Sequence, residues 1–285
     1  MKICRFRVRE EQCRVGIFSE DSSILDLSAV GINTLSSLLH GEDVIQRLNA
    51  LARSDLPRRS LQEVALVTPV EGQEVWAAGV TYLRSKKARM DESDFSAGAY
   101  DRVYAADRPE LFFKSLPEKV VSPDQPVGIR KDARWNVPEP ELALVISPRG
   151  EIVGYTIGND MSSRDIEGEN TLYLPQAKVY LHSCAVGPVV KVAASEAEAR
   201  SWRIQLQIER AGQTVFQGET SVGQIKRSFS ELVQYLFRSQ TFPNGAVLLT
   251  GTGIVPPDDF SLRPGDEVRI SISGIGLLRN IVVEV

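Results

Sequence analysis

The residues of this chain best placed to do chemistry are acids. Pro138-Glu139-Pro140-Glu141 runs into the apolar stretch Leu142–Ile146. Glu139 and Glu141 stand at i and i+2, so on a strand both point to one face. Carboxylates set side by side repel unless a proton or a cation lies between them. The prolines at 138 and 140 lack backbone donors, which suits a strand start or an edge. Beyond the turn at Ser147–Gly150, a second strand over Ile152–Gly158 leads to Asn159-Asp160. Whether Asp160 reaches the same cation depends on register. A two-residue loop at Pro148-Arg149 would set Glu141 opposite Thr156 and Glu139 opposite Gly158, leaving Asp160 one step further on the same face. A type I turn with a bulge would add a residue and turn Asp160 away, unless the strand ends near Gly158. Two outcomes therefore stand open: a surface hairpin with solvated acids, or three oxygen ligands on one ion.

An all-oxygen set with no His or Cys nearby selects a hard cation, Mg²⁺ first and Mn²⁺ as a possible substitute. Three carboxylates on Mg²⁺ leave one net negative charge, so an anionic substrate needs a compensating cation close by. Lys114, in Leu111–Lys114, and Lys178, in Pro175–Lys178, are the candidates. Either reads equally as a lysine that lays its stem along apolar neighbours. Other constellations fail. Gly251-Thr252-Gly253 and Gly274-Ile275-Gly276 lack the dinucleotide fingerprint, and there is no G-x-S-x-G elbow. The only histidines are His40 and His182, and His182 beside Cys184 has no acid at a motif spacing.

The elements that must carry these residues are mostly strands. Ala65–Val67, Val75–Ala78, Leu111–Phe113, Leu142–Ile146, Ile152–Ile157, Ile204–Ile208, Val247–Leu249, Val268–Ile272 and Ile281–Val285 are short runs rich in β-branched residues. Ile204, Leu206 and Ile208 alternate with Gln205 and Gln207, as in a strand with one wet face. One helix is clear: Phe229, Leu232, Val233, Leu236 and Phe237 form a stripe, with Ser228 and Glu231 as a capping box. The first seventy residues read as a small unit of their own. It has a hairpin of Lys2–Val8 and Gln12–Ile17 around Glu10–Glu11, and helices capped by Asn33 and Asp43. Arg53–Arg59 serves as a linker. Strands and helices do not alternate, so an α+β, antiparallel-rich fold is expected.

Composition narrows the function. The 285 residues are 42% hydrophobic and 25% charged, with a net charge of −4. That is an ordinary globular composition, with no basic footprint for nucleic acid or an anionic membrane. Three cysteines without metal-ligand spacing fit a reducing compartment. The charged start MKICRFRVRE reads as no signal peptide. A cytoplasmic enzyme or binder of a small molecule is expected.

In order along the chain, Gly79-Val80-Thr81-Tyr82, Pro109–Lys114, Glu139–Ala143, Gly154–Asp165, Thr250-Gly251-Thr252 and Ile272–Asn280 resemble the fumarylacetoacetate hydrolase superfamily over about residues 71–285. The resemblance implies a mixed β-roll catalytic domain over 71–285, joined to the small N-terminal α+β domain over 1–70. It implies Glu139, Glu141 and Asp160 as metal ligands and Lys178 as the family's lysine downstream of the aspartate. Thr252 would meet the substrate carboxylate, with Thr81 and Lys114 binding substrate beside it. Arg164-Asp165 would support the ligands. Hydrolytic members carry a water-activating histidine where this chain has Ser85. The wording around the site is most similar to the branch that dehydrates 2-keto-3-deoxy-arabinonate or -xylonate to 2,5-dioxopentanoate, in non-phosphorylative pentose catabolism. In that reading Lys178 takes the C3 proton, and Glu110 or Glu169 helps the C4 hydroxyl leave. The alternatives are a hydrolase of an acylpyruvate or fumarylacetoacetate-type diketo acid, and a protein that only binds 2-keto acids. A homodimer or homotetramer is expected from the resemblance.

Overall fold

The computed structural model describes residues 1–9, 12–19, 23–41, 43–83 and 102–285. The Glu10–Glu11 turn and Ser85 lie outside the described residues. Residues 1–70 supply strands β1 (Lys2–Val8), β2 (Arg14–Phe18), β3 (Ser23–Asp26), β4 (Arg58–Ser60) and β5 (Val64–Val67), with helices α1 (Leu35–Leu39) and α2 (Val44–Ala52). Then come β6 (Glu74–Gly79), β7 (Glu110–Ser115), β8 (Val127–Ile129), β9 (Asn136–Val137), β10 (Pro140–Ile146), β11 (Ile152–Asp160) and β12 (Ser162–Ser163). Helices α3 (Arg164–Glu169) and α4 (Leu174–Lys178) precede β13 (Cys184–Lys191), α5 (Glu196–Arg200), β14 (Arg203–Arg210), β15 (Gln213–Ser221) and α6 (Phe229–Phe237). The chain closes with β16 (Ala246–Leu249), β17 (Glu267–Ile272) and β18 (Gly276–Glu284).

One large sheet runs β4-β3-β2-β1-β13-β11-β10-β16-β6-β7, with β5 paired to β1. A smaller sheet runs β15-β14-β17-β18-β8. The N-terminal strands join the large sheet where Lys2 pairs with Lys191 and Ile3 with Val190. Every residue of β10 is buried, as its unbroken apolar run requires of a strand covered on both faces. The core between the sheets gathers Leu142, Leu144, Tyr155 and Ile157 with Ile204, Leu206, Ile270 and Phe229. The architecture is α+β and β-rich, as expected. Among the described residues no helix is long and apolar enough to cross a membrane.

Several local expectations change. Thr34, one residue beyond Asn33, caps α1 by accepting from Ser37 N at 3.2 Å. Asp43 adopts φ +51° and makes no side-chain cap. Part of the expected linker is strand, because Arg58–Ser60 pairs with β3. Ser228 Oγ accepts from Glu231 N at 3.1 Å. The Glu231 carboxylate does not close the box: it turns to the Arg227 guanidinium at 2.5 Å, a stronger charged partner than a backbone amide.

The β10–β11 hairpin settles the register. Glu141 pairs with Gly158 and Pro140 with Asn159, and Asp160 N donates to the Glu139 carbonyl at 3.0 Å. The connection is longer than two residues: Ser147 N donates to Glu151 O at 2.8 Å, with Gly150 left-handed at φ +76°. A second irregularity follows, since Ile146 pairs with Ile152 but Val145 with Gly154. Each adds one residue to the β11 side, and the two together restore the parity. Asp160 therefore returns to the face shared by Glu139 and Glu141.

Candidate metal centre and active site

Glu139 leads into β10, Glu141 is its second residue and Asp160 ends β11, so three acids meet at one end of the hairpin. One carboxylate oxygen from each lies within 4.8 Å of the others, and none of the three residues is more than 3% exposed. Each is held from behind. The Gly251 N–H donates to Glu141 Oε2 at 2.5 Å. Gly251 has φ +90°, and a Cβ there would fall 2.1 Å from Thr81 Oγ1. Arg164, the first residue of α3, places Nη2 2.9 Å from Glu139 Oε1. Lys114 on β7 sets Nζ 2.5 Å from Asp160 Oδ1 and donates to the carbonyls of Met161, at 3.0 Å, and Lys178.

Lys178 ends α4. Its Nζ donates to Glu139 Oε2 at 2.9 Å, Asp160 Oδ2 at 3.2 Å and Ser162 Oγ at 2.6 Å. Three buried carboxylates thus face three buried cations. Burial, with the Asp160 and Glu139 charges adding to it, pushes the Glu141 carboxyl well above the usual carboxylate range. Asp160 Oδ1 is buried without a hydrogen bond among the described residues, although the Lys114 ammonium is in ion-pair contact. An all-carboxylate donor set of this kind fits a hard divalent cation.

The narrow cleft over these acids is lined by Ala78, Gly79, Val80, Glu110, Phe112, Glu139, Glu141, Asp160, Glu167, Lys178, Gly251 and Thr252. The structure therefore brings together Glu139, Glu141, Asp160, Lys178, Glu110 and Thr252. Thr81 is not among the lining residues: it is buried, and its Oγ1 donates to the Thr250 carbonyl at 2.6 Å. Lys114 is likewise fully buried, paired with Asp160 and not among the lining residues. Glu169 is exposed and away from the cavity, while Glu167 is buried on its wall. Sequence reasoning missed Glu167. The signal was helical spacing: Glu167 is three residues from Arg164 and shares its face, whereas Glu169 does not. Neither histidine lines the cavity.

The fold and the site define a class. The family profile described as fumarylacetoacetate hydrolase, C-terminal, matches residues 74–283, and the chain belongs to that family. Among curated relatives, a Haloferax volcanii protein named "probable 2-keto-3-deoxyxylonate dehydratase" is 50% identical over 217 residues, 76% of this chain and 74% of that one. The 2-dehydro-3-deoxy-D-arabinonate dehydratase of Saccharolobus solfataricus is 36% identical over 264 residues, 91% of this chain and 89% of that one. A solved structure of 2-keto-3-deoxy-D-arabinonate dehydratase complexed with magnesium and 2,5-dioxopentanoate superposes with a TM-score of 0.84 at 32% identity. It covers 100% of this chain and 99% of that one.

Proposed function

We propose that this protein is a magnesium-dependent hydro-lyase that dehydrates a 2-keto-3-deoxy-pentonate, the arabinonate or the xylonate, to 2,5-dioxopentanoate. The observation that carries the reading is the convergence of Glu139, Glu141 and Asp160 within 4.8 Å, with the Lys178 amine hydrogen-bonded to two of them. Glu139, Glu141 and Asp160 would hold the Mg²⁺, with Mn²⁺ as a substitute. Bound there, the ion would polarise the keto carbonyl of the substrate and so acidify its C3 protons.

The protein's own groups do the rest. Thr252, on the cavity wall, orients the substrate carboxylate. Lys178 takes the C3 proton, and Ser162 Oγ and the carboxylates hold its nitrogen at the ligand edge. Glu110 and Glu167 flank the cavity, and one of them gives the departing C4 hydroxyl the proton that makes it water. Glu167 takes the place proposed from sequence for Glu169. Allylic isomerisation of the unsaturated keto alcohol then gives the C5 aldehyde. Arg164, Lys114 and Thr81 act through the residues they hold: Glu139, Asp160 and the Thr250–Thr252 loop.

The reading includes a catalytic unit over 71–285 and a smaller one over 1–70, which agrees with a family match that starts at residue 74. A cytoplasmic homodimer or homotetramer completes it. The test is incubation with Mg²⁺ and a panel of 2-keto-3-deoxy-pentonates, 2-keto-3-deoxy-hexonates and acylpyruvates, with products weighed by mass spectrometry. Loss of one water from a pentonate is expected. Cleavage of an acylpyruvate into two acids, with the pentonates untouched, would overturn the reading in favour of hydrolysis.

A further inference from the structure

The chain leading to Glu110 runs along the surface. Residues 105–108 are exposed, and Pro109 is buried but has no backbone N–H to donate. Glu110 then opens β7, the last strand of the large sheet, paired with Gly79. Its carboxylate lies over that glycine so closely that a Cβ on Gly79 would fall 2.1 Å from Oε2. Glycine at 79 thus leaves the room in which the carboxylate reaches the cavity wall, and the path of residues 107–109 sets where Glu110 enters it.

Arg227 anchors this approach. It is 7% exposed, and its guanidinium is spent on the carbonyls just ahead of Glu110. Nη2 donates to Ala106 O at 2.6 Å and Val103 O at 3.4 Å, and Nη1 donates to Asp107 O at 3.0 Å. Residues 102–105 are helical, so the guanidinium also meets the negative end of a helical turn. The arginine is itself held on two sides: Nη1 donates to Glu231 Oε1 at 2.5 Å, and Arg200 Nη2 donates to the Arg227 carbonyl at 2.7 Å. Its neighbour Lys226 donates its backbone N–H to Thr81 O at 3.0 Å, and its ammonium lies 4.6 Å over the Tyr104 ring. A lysine at 227 could not span the same carbonyls, because it has no planar fork.

We propose that Arg227 is a positioning residue for the active site: by clasping the carbonyls of Val103, Ala106 and Asp107 it sets where the Glu110 carboxylate stands over the metal centre. The proposal rests on the dehydratase reading, in which Glu110 faces the substrate. Its test is Arg227→Lys, with Arg227→Met alongside, each made in the native chain and in a Glu110→Gln background. Amide hydrogen exchange over residues 102–110 is measured together with kcat, KM and the Mg²⁺ midpoint.

In Arg227→Lys, exchange over 102–110 is expected to quicken and kcat to fall by about tenfold or more, the scale of a displaced catalytic group, with KM and the Mg²⁺ midpoint nearly unchanged. In the Glu110→Gln background the same change should have little further effect on kcat, because the carboxylate it positions is gone. Unaltered exchange would overturn the clasp. An equal loss of kcat in both backgrounds would overturn its link to Glu110 and leave only a structural arginine. If the unsubstituted protein dehydrates no pentonate, the functional reading fails, while the exchange measurement still decides the clasp.

Discussion

Lys178 occupies two of the three carboxylates that would hold a cation, donating to Glu139 Oε2 and Asp160 Oδ2. An ammonium and a divalent ion compete for the same oxygens, so this one side chain sets two quantities in opposite directions. Lys178→Met should lower turnover by roughly 10²–10⁴-fold, the usual contribution of a positioned base. It should also tighten Mg²⁺ binding, because it removes a positive charge from the ligand shell. Titration calorimetry with Mg²⁺ and a turnover assay check both. Near-native turnover, or weaker Mg²⁺ binding, would contradict the role given to this lysine. The shared face of Glu139 and Glu141 was legible in the sequence from their spacing alone. The role of Lys114 as a brace was not, because a buried cation behind a ligand and one facing the substrate have the same local sequence; the support that Arg164 gives Glu139 was expected from the family resemblance alone.

At the scale of elements, the register of β10 and β11 was only half legible. Pro148 and Gly150 announced a turn, and with it the extra residue that would have turned Asp160 away. The second extra residue near Val153 had no signal of its own, since Ile152-Val153 reads as plain strand. β13 was hidden for a related reason: Gly187-Pro188, in its middle, reads as a turn. β15, polar and largely exposed, had no apolar period to show. Asp26, at the end of β3, was also silent in sequence, yet it joins three elements. It accepts from Ser28 N at 3.1 Å and Ser28 Oγ at 2.6 Å, and pairs with Arg14 on β2 at 2.7 Å. Burial raises its pKa, but the Ser28 and Arg14 bonds outweigh that and hold the carboxyl below its ordinary value. A lowered folded pKa means stability that is present above the unfolded value and lost as pH falls through the folded one. Asp26→Asn should therefore cost about 1–3 kcal/mol near neutral pH. The gap to the unsubstituted protein should close below about pH 4. Urea melts of both proteins at several pH values measure it, and a gap independent of pH would refute the assignment.

For the whole molecule, the balance at the centre decides what the metal does for the fold. Glu139, Glu141 and Asp160 are offset by Lys114, Lys178 and Arg164, so the acids are already compensated by the protein. Removing Mg²⁺ with a chelator should leave the secondary structure and a cooperative melt intact. Saturating Mg²⁺ should add about 2.7 kcal/mol at a hundredfold excess over Kd, seen as a rise of several degrees in Tm. Glu141→Gln should abolish most of that rise. Unfolding on chelation would show instead that the ion is needed for the fold.

The pairing of β1 with β13 has a consequence for how the chain is made. β1 covers the flank of β13, which on its other side carries β11 and Asp160. During synthesis β1 leaves the ribosome long before its partner exists, and until then its apolar residues Ile3 and Phe6 have only nearby strands to cover them. Closure of the sheet is thus a late event, set by a contact between distant parts of the chain. The interval before it is when a nascent chain is most exposed to wrong pairings along an open strand edge.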